Sequence, residues 1–395
     1  MRLLQKLSIV MAAGVLALGS LQRPVTGQTF TCGSSGSDGA FNLTTPGITV
    51  FNPASYAPPL DPKGDNIFNF TTLTIAAGST LKLSGSILHG PVYFLASGAV
   101  QISGTIDLSG SDGEASSPIP ANRFPAAPGA GGFAGGVETS GSNAAQSGDG
   151  PSPGSPNYGG GFSGNQFLVP LIGGSGGGGG TGGGGGGAGG GALLIASCTS
   201  ITLTGTITAN GGHGNGNANN CVGGGGGAGG AIRLAAPAIS GSGGTLSVAA
   251  GGGNQYQCNQ AASNGLVRVE AFQDTLSATV SGPIDYGTPY STFATPAPSV
   301  RVVTIGGVAV NQSPSGSFTV PDVTVNSATA LPVNITASNI PIGTTVTLLI
   351  YSENGADQTI VSTGLAGTVA SSTATASVTL PAGYSYGFVK ASWTQ

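Results

Sequence analysis

Apolar and polar positions alternate in three separated stretches that share one order of residues. They are Val92–Gly110 (VYFLASGAVQISGTIDLSG), Leu193–Gly211 (LLIASCTSITLTGTITANG) and Ile232–Gly251 (IRLAAPAISGSGGTLSVAAG), with a shorter echo at Val267–Ala271 (VRVEA). Aligned on Gly104, Gly205 and Gly244, they superpose Val92, Leu193 and Ile232, then Phe94, Ile195 and Leu234, then Ile106, Ile207 and Leu246. Ile201, Leu203 and Ile207 are separated by threonines, the period-two pattern of a half-buried strand. The Gly-Thr step between the two strands of each copy reads as a corner, where a missing Cβ lets the backbone turn. One such unit cannot bury its apolar face alone, so self-similar copies predict stacked rungs around a continuous core. The third copy aligns only with a one-residue slip around Pro237–Ser240, which predicts a bulge or widened corner there. Phe70–Gly85 (FTTLTIAAGSTLKLSG) also alternates and supplies an earlier, irregular rung. The predicted fold class is all-β, with a parallel β-helix or solenoid-like body carrying Gly-rich insertions. The same strands laid antiparallel in a jelly roll or sandwich are the alternative.

The first and second copies lie 101 residues apart, against 39 between the second and third. Residues 111–172, rich in Pro, Gly, Ser and Asn and lacking alternation, are therefore read as a long surface-loop insertion. Near Gly287–Ser299 (GTPYSTFATPAPS) glycine thins and a Pro/Thr linker begins. Beyond it, short alternating runs follow at Val300–Ile305, Val320–Val325, Pro332–Ala337, Thr345–Tyr351, Thr359–Ser362, Thr373–Leu380 and Gly387–Trp393. Seven short strands with turn signals predict an immunoglobulin-like β-sandwich, with Trp393 packed inside it. The expected organisation is a leader at 1–27, a glycine-rich β-helix-like domain at 28–286, a linker at 287–299 and the sandwich at 300–395.

Gly173–Gly191 holds 16 glycines in 19 residues and Gly223–Gly230 seven in eight. Gly-rich sequence ordinarily means flexible linker. Both runs, however, end alike (AGGGALLI and AGGAIRL) and enter the same strand in the same register, which favours ordered, closely packed backbone. A nucleotide cradle is excluded because these runs lead into strands and the GK[ST] element is missing.

Arg2 and Lys6, the apolar run Leu7–Leu18 and Val25-Thr26-Gly27 have the form of a secretory signal peptide cut before Gln28, with an earlier cut after Gly19 also open. No apolar run is long enough to span a bilayer after its removal. Loss of Arg2, Lys6 and Arg23 leaves seven basic and 14 acidic side chains, so nucleic acid is not an expected partner. The four cysteines, Cys32, Cys198, Cys221 and Cys258, admit three pairings in an exported chain. Cys221 and Cys258 fall in equivalent loops of successive copies, which favours Cys221–Cys258 and leaves Cys32–Cys198 to pin the N-terminal segment to a rung.

Candidate chemistry is sparse. Asp107, Asp112 and Glu114 form the one close acidic group, a weak calcium candidate through oxygen ligands, with a solvated turn as the plainer reading. Gly212-His213-Gly214 resembles one element of pectin-degrading polygalacturonases, but that family's paired aspartates and Arg-x-Lys element are missing, so His213 receives no catalytic role. Glu270 and Asp274 are distant carboxylates that folding alone could bring together. The cysteine spacing, even with His89 and His213, matches no zinc pattern. No catalytic residues, cofactor or metal are assigned.

The rung pattern GGA(I/L)xLA…GTI…GG, together with the segment from Pro332 through Ser392, resembles uncharacterised exported glycine-rich proteins of soil bacteria. Those combine a β-solenoid-like body with an immunoglobulin-like tail. The resemblance implies a bacterial extracellular or cell-surface location. The expected function is a secreted structural or adhesive protein binding polysaccharide or another cell-surface component through repetitive polar faces. The alternative is a polysaccharide-active hydrolase or lyase, which needs two carboxyl groups meeting on one rung face.

Overall fold

A computed structural model describes residues 30–115, 124–139, 144–216, 222–253, 261–290, 298–311, 321–352, 356 and 358–393. The expected leader and both Cys221 and Cys258 lie outside them. The described chain is nearly all β, with one short 3-10 turn at Pro53–Ser55 and no α-helix. No described helix is long and apolar enough to cross a membrane.

Among the described residues, fourteen strands form one parallel sheet. β1 (Ala40–Leu43) and β2 (Gly47–Val50) open it, and β3 (Ile67–Phe70), β4 (Thr72–Ile75) and β5 (Ser79–Lys82) follow. Next come β6 (Val92–Ala96), β7 (Val100–Ile102) and β8 (Thr105–Asp107), then β9 (Ala192–Ser197), β10 (Ser200–Leu203) and β11 (Thr206–Thr208). β12 (Ala231–Ser247) and β13 (Leu266–Ser281) are each one long strand, and β14 (Ile284–Gly287) closes the sheet. The strands align in three ladders: β3–β6–β9–β12–β13–β14, β1–β4–β7–β10–β12–β13 and β2–β5–β8–β11–β12–β13.

The repeat is in register. Val92 pairs with Leu193, Leu193 with Ile232 and Ile232 with Val267, and all four are fully buried in one core. Inward residues of the other two ladders, such as Ile201 and Ile207, join the same core. Parallel pairing excludes the antiparallel alternative. The slip in the third copy is also present. β12 has one residue fewer than β9–β10 between the pairs Ala196–Ala235 and Ser200–Ala238, and recovers it before Thr206–Thr245. Phe41, Phe51, Phe68, Phe70, Phe94 and Tyr56 gather where the stack begins, with Phe51 and Phe68 rings 5.0 Å apart.

The first ladder is buried on both sides, which is why VYFLA and ALLIAS read as unbroken apolar runs rather than alternating ones. Its outer residues, including Tyr93, Leu95 and Leu194, form a second core with Phe30, Cys32, Leu168 and Leu171. The Cys32–Cys198 disulfide fastens this cover to the sheet, as the loop argument expected.

The glycine runs are ordered and hydrogen-bonded. In the arm 185–191 the donors cycle through three neighbours with a period of three. Gly185, Ala188 and Gly191 N–H donate to Glu114, Ser111 and Leu108 carbonyls, Gly186 and Gly189 to Gly136 and Phe133, and Gly187 and Gly190 to Gly225 and Ala228, at 2.8–3.0 Å. The arm 173–180 behaves likewise, with Gly174, Gly177 and Gly180 donating to Gly190, Gly187 and Gly184. Three residues per turn with every bond made to a neighbouring segment is the signature of a packed polyproline-II-type bundle. Within these runs only Gly183 and Gly184 have positive φ, so the glycines are needed for space. A Cβ on Gly187 would stand 2.0 Å from the Gly212 carbonyl oxygen, and one on Gly227 2.0 Å from that of Ala188.

Much of the insertion expected as a surface loop belongs to this bundle. Gly136 N–H donates to Gly177, Gly154 to Gly176 and Gly160 to Gly226. Its missing strand alternation reflects a third kind of extended backbone, with period three instead of two.

After residue 298 the pairing is antiparallel. β15 (Ser299–Ile305), β16 (Val308–Ala309), β17 (Leu331–Ser338), β20 (Ala366–Thr368) and β21 (Ser371–Val378) make one sheet. β18 (Thr345–Ser352), β19 (Gln358–Gly364) and β22 (Ser385–Ala391) make another. They share a core of Val333, Ile335, Val346, Leu348 and Ile350, against which Trp393 packs. Residues 321–325, expected within a strand, carry none.

Gly187→Ala is expected to lower stability by about 1–3 kcal/mol or more, the usual scale of overpacking. Gly90→Ala, where a new Cβ meets nothing nearer than 3.4 Å, should leave it nearly unchanged. Paired thermal melts check this; equal melting temperatures would show that the bundle is not tightly packed.

Candidate functional site

Outside the covered first ladder, the stack presents side chains in regular columns. On the second ladder the outward residues Asn42, Thr74, Gln101, Thr202, Ser240 and Thr275 are successive register partners. On the third, Thr80, Thr105, Thr206, Thr245 and Thr279 form a column of one residue type across five strands. It arises because each threonine directly precedes an inward Leu, Ile or Val at the same register position. Between the columns the corners hold Ser103-Gly104, Thr204-Gly205 and Ser242-Gly243. The surface from one column to the other is therefore uncharged and free of aromatic rings.

The next column on the third ladder is Lys82, Asp107, Thr208, Ser247 and Ser281, and it is hydrogen-bonded internally. Lys82 Nζ donates to Asp107 Oδ2 at 2.9 Å and to the Ser109 carbonyl at 3.1 Å. Asp107 also accepts from Ser109 N–H at 2.8 Å and Thr208 Oγ1 at 3.0 Å, while Ser247 donates to Asn210. Partial burial raises the Asp107 pKa, but the Lys82 and Ser109 hydrogen bonds and the Lys82 charge outweigh it, leaving the carboxyl below its ordinary value.

The proposed calcium ligands face different partners. Asp107 is paired as above, Asp112 accepts the His213 N–H at 2.7 Å, and the Glu114 backbone carbonyl accepts from Gly185. No group of three or more His, Cys, Asp or Glu side chains suited to a metal ion occurs among the described residues. His213 Nδ1 accepts the Gly252 N–H at 2.9 Å, so the histidine links Asp112 and Gly252 across successive copies.

Sequence reasoning missed a buried ionic cluster on the outer side of the first ladder. Arg233 Nε and Nη2 donate to the two oxygens of Glu270 at 3.1 and 2.9 Å, and Arg268 Nε donates to the same carboxylate at 2.6 Å. Arg268 Nη1 also donates to the Gln166 carbonyl and lies 3.5 Å from Asp285. The Arg233 guanidinium stacks on Tyr290 at 4.7 Å and that of Arg268 on Phe167 at 5.0 Å. These contacts tie the insertion and the segment after β14 to the sheet. The signal was present as an arginine between two inward apolar residues in both IRL and VRV. Glu270 and Asp274 do not work together: Glu270 is saturated by arginines, and Asp274 accepts the Leu276 N–H.

No protein-family profile matches the chain, and comparison with curated proteins and with solved structures finds no counterpart.

Two predictions follow from these charges. Glu270→Gln leaves two buried guanidinium groups side by side and should destabilise by about 3–5 kcal/mol, measured by denaturant unfolding; a loss near zero would refute the ionic clamp. Asp107→Asn should cost about 1 kcal/mol at neutral pH. Because the folded-state pKa is depressed, that contribution is present above the unfolded value of about 4 and is lost as pH falls through the folded one. The stabilities of variant and parent should thus converge in acid, and a gap that persists there would contradict the assignment.

Proposed function

We propose that this protein is a secreted or cell-surface structural and adhesive protein, built as a β-helix braced by polyglycine and followed by an immunoglobulin-like sandwich. The observation that carries the reading is the pair of neutral polar columns repeated on in-register strands. Single hydroxyl and amide contacts are weak, but an array of them on a stiff body engages an extended ligand many times at once. The matching ligand is a large, repetitive, uncharged surface, polysaccharide and other cell-surface material among them. The Cys32–Cys198 disulfide supports an oxidising, extracytoplasmic location, and the leader-like N-terminus supports export.

The test is retention of the chain from Gln28 onward on arrayed glycans, insoluble polysaccharides, cell-envelope preparations and ice. Retention on at least one of them, weakened when Gln101→Glu and Thr202→Asp place charge on the second-ladder column, is the expected result. A folded chain retained by none would sink the adhesive reading.

A further inference from the structure

The column Thr80, Thr105, Thr206, Thr245 and Thr279 is set apart from the columns beside it by its composition and by its free hydroxyls, and it lies open to solvent. It keeps one residue type over five consecutive strands, whereas its neighbours mix Lys, Asp, Ser, Thr, Gln and Asn. Its hydroxyls make no hydrogen bond within the described residues, while the adjacent column is closed by Lys82–Asp107, Thr208–Asp107 and Ser247–Asn210. Thr279 is exposed and the other four are partly exposed, like the second-ladder column and unlike the outer side of the first ladder.

We infer that this threonine column is a binding face for ice, the ordered surface of water itself. Neighbouring strands stand about 4.8 Å apart, so the column offers a methyl and a hydroxyl group at one fixed interval over a rigid length. A row of water oxygens in a crystal repeats at a comparable fixed interval, whereas liquid water has no such order. A threonine on a strand holds its χ1 rotamer stiffly, so the array is ordered before the ligand arrives. Methyl groups favour caged water over their surface, and the free hydroxyls anchor that water by hydrogen bonds.

The flanks fit the same ligand. The corner beside the column carries only small neutral residues, and the nearest charges, Lys82 and Asp107, neutralise each other. A sugar site ordinarily supplies aromatic surface together with a few convergent polar groups. The threonine column and its corner contain no aromatic ring, amide or carboxylate. The inference rests on the adhesive reading of the body and names the surface to which this column adheres.

The test uses the chain from Gln28 onward. Freezing-point hysteresis and inhibition of ice recrystallisation are measured for the parent, for Thr206→Lys and for Thr279→Lys, with Thr359→Lys on the exposed side of β19 as control. Circular dichroism and thermal melts show that each variant is folded, and Thr279, at the exposed end of the column, guards against a folding defect in Thr206→Lys. The expected result is activity in the parent and control and its loss in both column variants. A folded parent without ice activity overturns the inference, as does activity unchanged by both lysines. If the parent instead binds a neutral polysaccharide and Thr206→Lys abolishes that binding, the column belongs to polysaccharide, the ice assignment falls and the adhesive reading stands. If it binds neither ice nor any surface tested, both fall.

Discussion

Close approach of backbone to backbone is the constraint on which this architecture depends. At Gly177, Gly187, Gly190 and Gly227 the space a Cβ would need is filled by a carbonyl oxygen about 2 Å away. Glycine loses more conformational entropy on ordering than any other residue, so a glycine-rich segment stays ordered only if most of its backbone groups are engaged. Here nearly all the N–H groups of the arms donate, through bonds that pass between segments with a period of three. The bundle holds the strands together where the loops return, and the arms lead straight into β9 and β12, fixing where those strands begin.

The parallel sheet solves a second problem. With the first ladder buried on both sides, only two ladders face outward, and polar columns confined to them make a surface whose spacing is set by the sheet. The arginines enter the covered side because Glu270 and the rings of Phe167 and Tyr290 receive them. Gly287 completes the fit, since a Cβ there would lie 2.6 Å from the Arg268 guanidinium.

The legible part of the fold was the part with a period of two. The aligned positions Val92, Leu193, Ile232 and Val267, the slip in the third copy and the pairing of Cys32 with Cys198 all followed from the repeat. The insertion did not, because residues 124–161 were judged against strand and helix periods and have neither. Many of its partners are distant in the chain, as Gly177 is from Gly136 and Gly226 from Gly160, and glycine carries no side-chain pattern to announce them. The ionic cluster was hidden for a related reason. Arg233 and Arg268 look like ordinary outward residues until residues 162–171 are seen to cover that face. The threonine column was visible only as TLK, TID, TIT, TLS and TVS, five unrelated tripeptides until register aligned them. The Cys221–Cys258 pairing lies outside the described residues.

The central claim is that the glycine runs are ordered members of a hydrogen-bonded bundle that braces the sheet. Amide hydrogen exchange, resolved to peptides covering residues 173–191 and 223–230, tests it most directly. The account predicts protection comparable to that of β12, because these N–H groups are bonded and shielded from water. Exchange at the rate of an unstructured chain in both runs, with β12 still protected, would contradict it.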